Sequence, residues 1–185
     1  MKHFLESLFD ISKTFLLVLV IFLGVRYFLV GPFYVKGTSM EPNFHEHDYL
    51  ITDKISYRFN EPKRGEIVVF KYPEDPQEYF IKRVIGLPGE TVTIKEGHVL
   101  IADSKGDSMQ LNESYLPAYV KTISMTEEPV TLKPGEYFMM GDNRNASKDS
   151  RSFGAVSKNF LIGRVFLRIH FFDSFQHIKT PLYTK

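Results

Sequence analysis

Between Phe15 and Val25 the chain reads FLLVLVIFLGV without a charge, and beyond Arg26 the apolar character resumes through Val30. This run takes the start of the chain out of any ordinary water-facing domain and offers it three fates: a helix in lipid, a cleaved leader or a buried core helix. At about 1.5 Å per residue a helix over Phe15 to Val30 spans roughly 24 Å, a little short of a ~30 Å hydrocarbon core. Flanking apolar residues or local thinning must supply the remainder. A cleaved leader needs small residues after the run, but VGPFYVKG follows, with bulky side chains in their place. The expectation is a single retained transmembrane helix over 14–30, with Arg26 snorkelling near its end. Lys2 and Lys13 put the tail 1–13 on the cytoplasmic side of a cell membrane, against a weak opposing signal from Arg26 and Lys36. Residues 31–185 are then an extracytoplasmic domain.

Gly31 and Pro32 stop the helix, and from there the period changes from helical to two. FYVKG, DYLITDKISY, GEIVVFKYP, YFIKRVIG, TVTIKEGHVLI, EYFMMGD and GRVFLRIHFF read as strands separated by turn clusters such as PKRG, LPGE, KEGH and KPGE. The predicted fold class is mainly β, an antiparallel sheet domain preceded by the helix. Ser104 to Pro129 is polar and holds little period, which predicts a long loop or an embellishment on the sheet. A length of 185 residues fits one domain with an appendage. The formal net charge of +1 supplies no field for a polyphosphate, so nucleic acid is excluded as a partner. The absence of cysteine removes disulfides, zinc-thiolate sites and thiol nucleophiles, leaving Ser, Thr, Lys or a carboxylate for covalent catalysis.

Three segments can carry chemistry. In Gly37-Thr38-Ser39-Met40-Glu41-Pro42 a serine lies on a small-residue turn, exposed to substrate and close to backbone N–H groups able to hold an oxyanion. Such a serine is also an ordinary turn residue. In Phe80-Ile81-Lys82-Arg83-Val84 the strand period puts Lys82 on one face with Phe80 and Val84. Burial there would lower the lysine pKa and leave an amine able to take a serine proton. The competing reading is an edge lysine that snorkels, with Lys82 and Arg83 guarding the edge. In Gly141 to Arg151, Asp142, Arg144, Asp149 and Arg151 alternate in sign around Ser147 and Ser150, so the segment can form an internally satisfied network. His45 and His47 offer a Ser/His or a His-x-His alternative, but His3, His98, His170 and His177 complete no zinc spacing, and no metal site is expected.

These residues resemble a bacterial type I signal peptidase, the membrane-bound Ser/Lys leader peptidase, in its compact form. GTSMEP is similar to the family's nucleophile box, YFIKRVIGLPGE to its lysine box and MMGDNRNASKDSR to its third box, in the family's order behind an apolar span. The resemblance implies an antiparallel β catalytic domain with an apolar surface that meets the membrane. It implies Ser39 as nucleophile and Lys82 as general base, working through an acyl-enzyme. Met40 packs beside the nucleophile by the same comparison. Ser147 hydrogen-bonds and orients the lysine amine, Asp149 and Arg151 hold the third box as a charge pair, and Asp142 and Arg144 are structural. Where some relatives carry a serine two positions before the nucleophile, Gly37 has no hydroxyl to lend an oxyanion hole.

The family cleaves secreted preproteins after small residues at positions −3 and −1. The pocket enforcing this is expected from Phe33, Val35, Met40, Phe44 and Ile81, whose bulk leaves room only for alanine-sized side chains. The implied partners are secretory signal peptides, the lipid bilayer and the secretion translocon, and no cofactor is called for. Two rival readings share features of the chain. A catalytically inactive, membrane-tethered β-domain could serve as a binding or accessory protein. A Ser/Lys self-cleaving repressor would need a DNA-binding segment where this chain has its apolar run.

Overall fold

The computed structural model describes residues 2–28, 30–124, 128–170, 174–178, 180, 181 and 183, the side chains of 2–6, 8, 25–28, 174 and 175 excepted. Helix α1, Lys2–Phe28, precedes β1, Val30–Tyr34, and β2, Tyr49–Asp53. A short helix α2, Ser56–Phe59, leads to β3, Ile67–Lys71, and β4, Tyr79–Gly86. Then come β5, Thr91–Lys95, β6, His98–Ala102, β7, Ser108–Gln110, β8, Val130–Thr131, and β9, Glu136–Met140. Helix α3, Ser150–Phe153, β10, Val156–Ser157, β11, Leu161–His170, and β12, Ser174–His177, complete the order. The large sheet runs β1-β2-β11-β3-β4-β9-β10, with β12 also on β11, and a smaller sheet runs β7-β6-β5-β8. Every pairing among the described strands is antiparallel.

The strand period explains the cores. In β3, Ile67 and Val69 face a cluster with Val35, Met40, Phe44 and Leu50, while Val68 and Phe70 face another with Val84, Tyr137 and Met139. A strand covered on both faces reads as an unbroken apolar run, as IVVF does. In β5 and β6 only alternate residues are buried, Val92, Ile94, Val99 and Ile101, the pattern of a sheet with one wet face. Glu96 and Gly97, both at positive φ (54° and 87°), turn that hairpin, so His98 begins β6 instead of lying in the turn.

Two sequence expectations change here. Pro32 lies inside β1, where an edge position tolerates its missing N–H, so the strand starts before the FYVKG run. Among the described residues no helix is long and apolar enough to cross a membrane. The expected span over 14–30 falls on helix α1, whose described side chains form an exposed apolar run from Phe15 to Leu23. Residue 29 and the side chains of 25–28 lie outside the described residues.

Candidate active site

Ser39 sits in the loop from β1 to β2. The loop is pinned by its own hydrogen bonds, Glu41 N–H to the Thr38 carbonyl (3.1 Å) and Phe44 N–H to the Met40 carbonyl (2.9 Å). Met40 and Phe44, 1% and 2% exposed, plug it into the core beneath. Lys82 lies mid-strand in β4, in register with Val68 of β3, and is 3% exposed. Its amine donates to Ser39 Oγ at 2.7 Å and to the Ile81 carbonyl at 3.0 Å. Burial disfavours its charged form and brings its pKa down to about 8, although the Asp149 and Asp142 charges pull the other way. A neutral amine in contact with a serine hydroxyl can accept its proton. The edge-guarding reading of Lys82 does not describe this strand, which lies between β3 and β9.

The segment after β9 closes on the Ser39 loop. Asn143 donates from its N–H to the Ser39 carbonyl (3.0 Å) and from its side chain to the Thr38 carbonyl (3.1 Å). Gly141 lies so close that a Cβ there would stand 2.2 Å from Ser147 Oγ and 2.4 Å from the Ser39 carbonyl oxygen. Asp149, fully buried, accepts from Arg151 Nε (2.8 Å) and Nη2 (2.7 Å) and from the Gly141 N–H (3.0 Å). Burial pushes its carboxyl up, yet the Arg151 hydrogen bond and charge hold it below the ordinary aspartate value. The Ser147 hydroxyl is buried without a partner in hydrogen-bonding geometry. The bond expected from Ser147 to the lysine amine is therefore not made, and the Ile81 carbonyl takes that place.

The third segment is satisfied only in part within itself: Asp149 and Arg151 pair inside it, whereas Asp142 and Arg144 bond to residues outside it. Asp142 accepts two bonds from Arg83, at 2.8 and 2.6 Å, and a third from Asn43 Nδ2 at 2.8 Å. Arg144 forks onto Glu113 and reaches Thr122 and the Tyr115 hydroxyl. Sequence reasoning missed all five partners. Arg83 had a visible signal, a second cation on an apolar strand, but Glu113, Tyr115 and Thr122 come from the stretch read as a long loop or an embellishment on the sheet, which supplies β7 to the smaller sheet.

A cleft of about 600 Å³ that Ser39 and Lys82 line opens between β1 and the start of β4. Phe33, Val35 and Ile81 line it as expected, with Leu50, Val69 and Phe80 added. Met40 and Phe44 do not line it; they form its foundation in the core. Gly37, at φ +83°, spends its N–H on Glu46 Oε1 at 3.2 Å. Among the described residues the Ser39 N–H donates to no backbone acceptor. His47 contacts the Tyr34 hydroxyl and His45 lies 3.9 Å from Glu41, so neither histidine serves Ser39. No group of three or more metal-ligating side chains converges among the described residues.

A serine hydroxyl on a desolvated amine beside an apolar cleft is equipment for acyl transfer by a serine hydrolase. The family model for "Signal peptidase, peptidase S26" matches residues 8–170. A probable signal peptidase I-2 of Synechocystis is 38% identical over 86% of this chain and 72% of its own length. Signal peptidase I of Bacillus licheniformis is 36% identical over 85% and 86% of the two chains. Signal peptidase IB of Staphylococcus aureus is 30% identical over 100% and 98%. The crystal structure of a signal peptidase I from Enterococcus faecalis V583 superposes with a TM-score of 0.47 at 30% identity, over 57% of this chain and 97% of that one. The chain belongs to the signal peptidase S26 family and is an enzyme, a serine endopeptidase of the signal peptidase I class. The readings as an inactive binding domain and as a self-cleaving repressor give way to it.

Proposed function

We propose that Ser39 and Lys82 form the catalytic dyad of a membrane-attached peptidase that removes signal peptides from secreted preproteins. The observation that carries this reading is the 2.7 Å hydrogen bond between a buried amine and the serine hydroxyl. Neutral Lys82 takes the hydroxyl proton as Ser39 Oγ bonds to the scissile carbonyl carbon, and the Ser39 N–H donates to the oxyanion that develops. Collapse of this intermediate breaks the C–N bond as the Lys82 ammonium returns its proton to the leaving amine, and an ester to Ser39 remains. Water then attacks the ester, giving a proton to Lys82 that passes to the departing serine oxygen.

The substrate's small side chains at −3 and −1 enter the cleft bounded by Phe33, Val35 and Ile81. Leu50 and Val69 close it behind them, so larger side chains are rejected by overlap. Asp149, Arg151, Asp142 and Arg144 act at a distance by fixing the loop against which Ser39 rests. The apolar side chains on Phe15 to Leu23 belong in lipid, since exposing such a run to water is unfavourable. Secreted preproteins emerge on the extracytoplasmic face, beside the translocon, and the catalytic domain belongs there with them.

The test is cleavage of a preprotein with an Ala-x-Ala site in detergent, by wild type, Ser39→Ala and Lys82→Ala at matched folded protein. Each variant should lose about 10⁴-fold or more in rate. Undiminished cleavage by Lys82→Ala would sink the dyad.

A further inference from the structure

A second cleft of about 600 Å³ opens away from Ser39, between α2 and the start of β11. Its floor is Tyr57, Leu161 and Ile162, and its rim carries Lys54, Arg58 and Lys158. The carboxylates nearby are already engaged: Glu61 by Lys158 at 2.6 Å, and Asp53 and Glu66 by Arg164 at 3.5 and 3.4 Å. Among the described residues neither Lys54 nor Arg58 has a carboxylate partner. Lys158 is paired with Glu61, so Lys54 and Arg58 are the two cations at the opening without a carboxylate, and they keep a local positive charge in a chain whose formal net charge is only +1.

The cleft's position gives that charge a meaning. α1 ends at Phe28, β1 begins at Val30, and Val30 pairs with Asp53. Lys54 is the next residue, and its Cε would stand 2.5 Å from a Cβ on Gly31. The basic rim therefore adjoins the point where the apolar helix hands over to the domain. On the same short helix as Arg58, Phe59 is 79% exposed, a large apolar side chain beside a cationic one. An aromatic ring at the interfacial level with basic groups around it is the chemistry of contact with an anionic lipid surface.

We infer that the cleft bounded by Lys54, Arg58 and Lys158 binds the phosphate of an anionic phospholipid headgroup, with Phe59 inserted beside it. The site fixes the tilt of the catalytic domain on the membrane, which α1, a single attachment, leaves free to swivel. It rests on the reading that α1 holds the chain at a bilayer.

The chain contains no tryptophan, so Phe59→Trp creates a single fluorescent reporter. Full-length F59W is placed in vesicles of phosphatidylcholine with a rising fraction of phosphatidylglycerol. Emission should move to the blue, and protection from an aqueous quencher should rise, as the anionic fraction increases. Adding Lys54→Gln or Arg58→Gln should raise the fraction needed for half the change about fivefold each. Both variants should cleave peptide in detergent at the parent rate, which shows that they are folded. Identical emission in both lipids, with the protein floating on both, overturns the headgroup site alone. The same shift produced by inorganic phosphate in detergent assigns the cleft to a soluble anion and overturns the lipid. Failure to float on either vesicle rejects the anchor and the site with it.

Discussion

Lys82 is held near the serine by the strand that buries it, and the cost of that burial is what makes it useful. With its pKa brought to about 8, roughly a tenth of the amine is neutral at pH 7, against well under a thousandth for an ordinary lysine. The rate constant kcat/KM should rise about tenfold per pH unit below 8 and level off above it, readable from a pH profile with a peptide substrate. Stability should move the same way at higher pH. Between about 8 and 10.5 the unfolded chain holds a proton that folded Lys82 lacks, so this group's contribution to stability rises with pH across that window. Gly141 sets the other residue-scale constraint. Gly141→Ala should lower kcat about a hundredfold, because the added methyl must push the Ser39 backbone as well as Ser147. Adding Ser147→Gly should restore only part of the rate, since the clash with the Ser39 carbonyl persists. Full rescue would show that the serine backbone had not moved.

At the scale of elements, the β4–β9 pairing sets Arg83 opposite Met140, two residues before Asp142, and so brings the guanidinium and the carboxylate together. Both are buried, Arg83 at 4% exposure and Asp142 at 2%. Removing one partner leaves the other charge buried and unpaired, so Asp142→Ala should cost about 3–5 kcal/mol in urea unfolding. Lys148→Ala removes an exposed 3.6 Å pair with Glu74 and a cation–π contact 4.4 Å from the Tyr72 ring, both at the surface, and should cost no more than about 1 kcal/mol. The sequence showed the mixed charges of 141–151 but not their partners. An ion pair 59 residues apart depends on strand order, and period two carries no information about which strand lies beside which. The same limit hid Glu113 and Thr122, which sit in a stretch of little period and meet Arg144 only in space.

For the whole molecule, the helix that carries the exposed apolar run and the basic cleft beside Lys54 are brought together where helix gives way to sheet, because Val30 pairs with Asp53. Full-length protein should therefore stay with lipid when membranes are washed with alkaline carbonate and should float with vesicles on a density gradient. Recovery in the aqueous supernatant would contradict the anchor. On the proposed function, a domain held this way works at the surface from which its substrate emerges, and attachment raises the local concentration of one for the other.

What the sequence determined by itself was local: the break at Gly31 and Pro32, the period-two runs and the three polar boxes with Ser39 and Lys82 in them. Those features are set by neighbouring residues and remain visible in a linear string. The pocket list was only half legible, because apolar residues near a nucleophile look alike whether they line a cleft, like Phe33, or support it, like Met40. Tertiary structure alone decided that Lys82 is buried and touches Ser39, that Ser147 does not bond the amine, and that Asp142 and Arg144 find partners far along the chain. The reason is physical: desolvation and hydrogen-bond geometry depend on what packs around a group in space, and here the packing comes from strands distant in sequence.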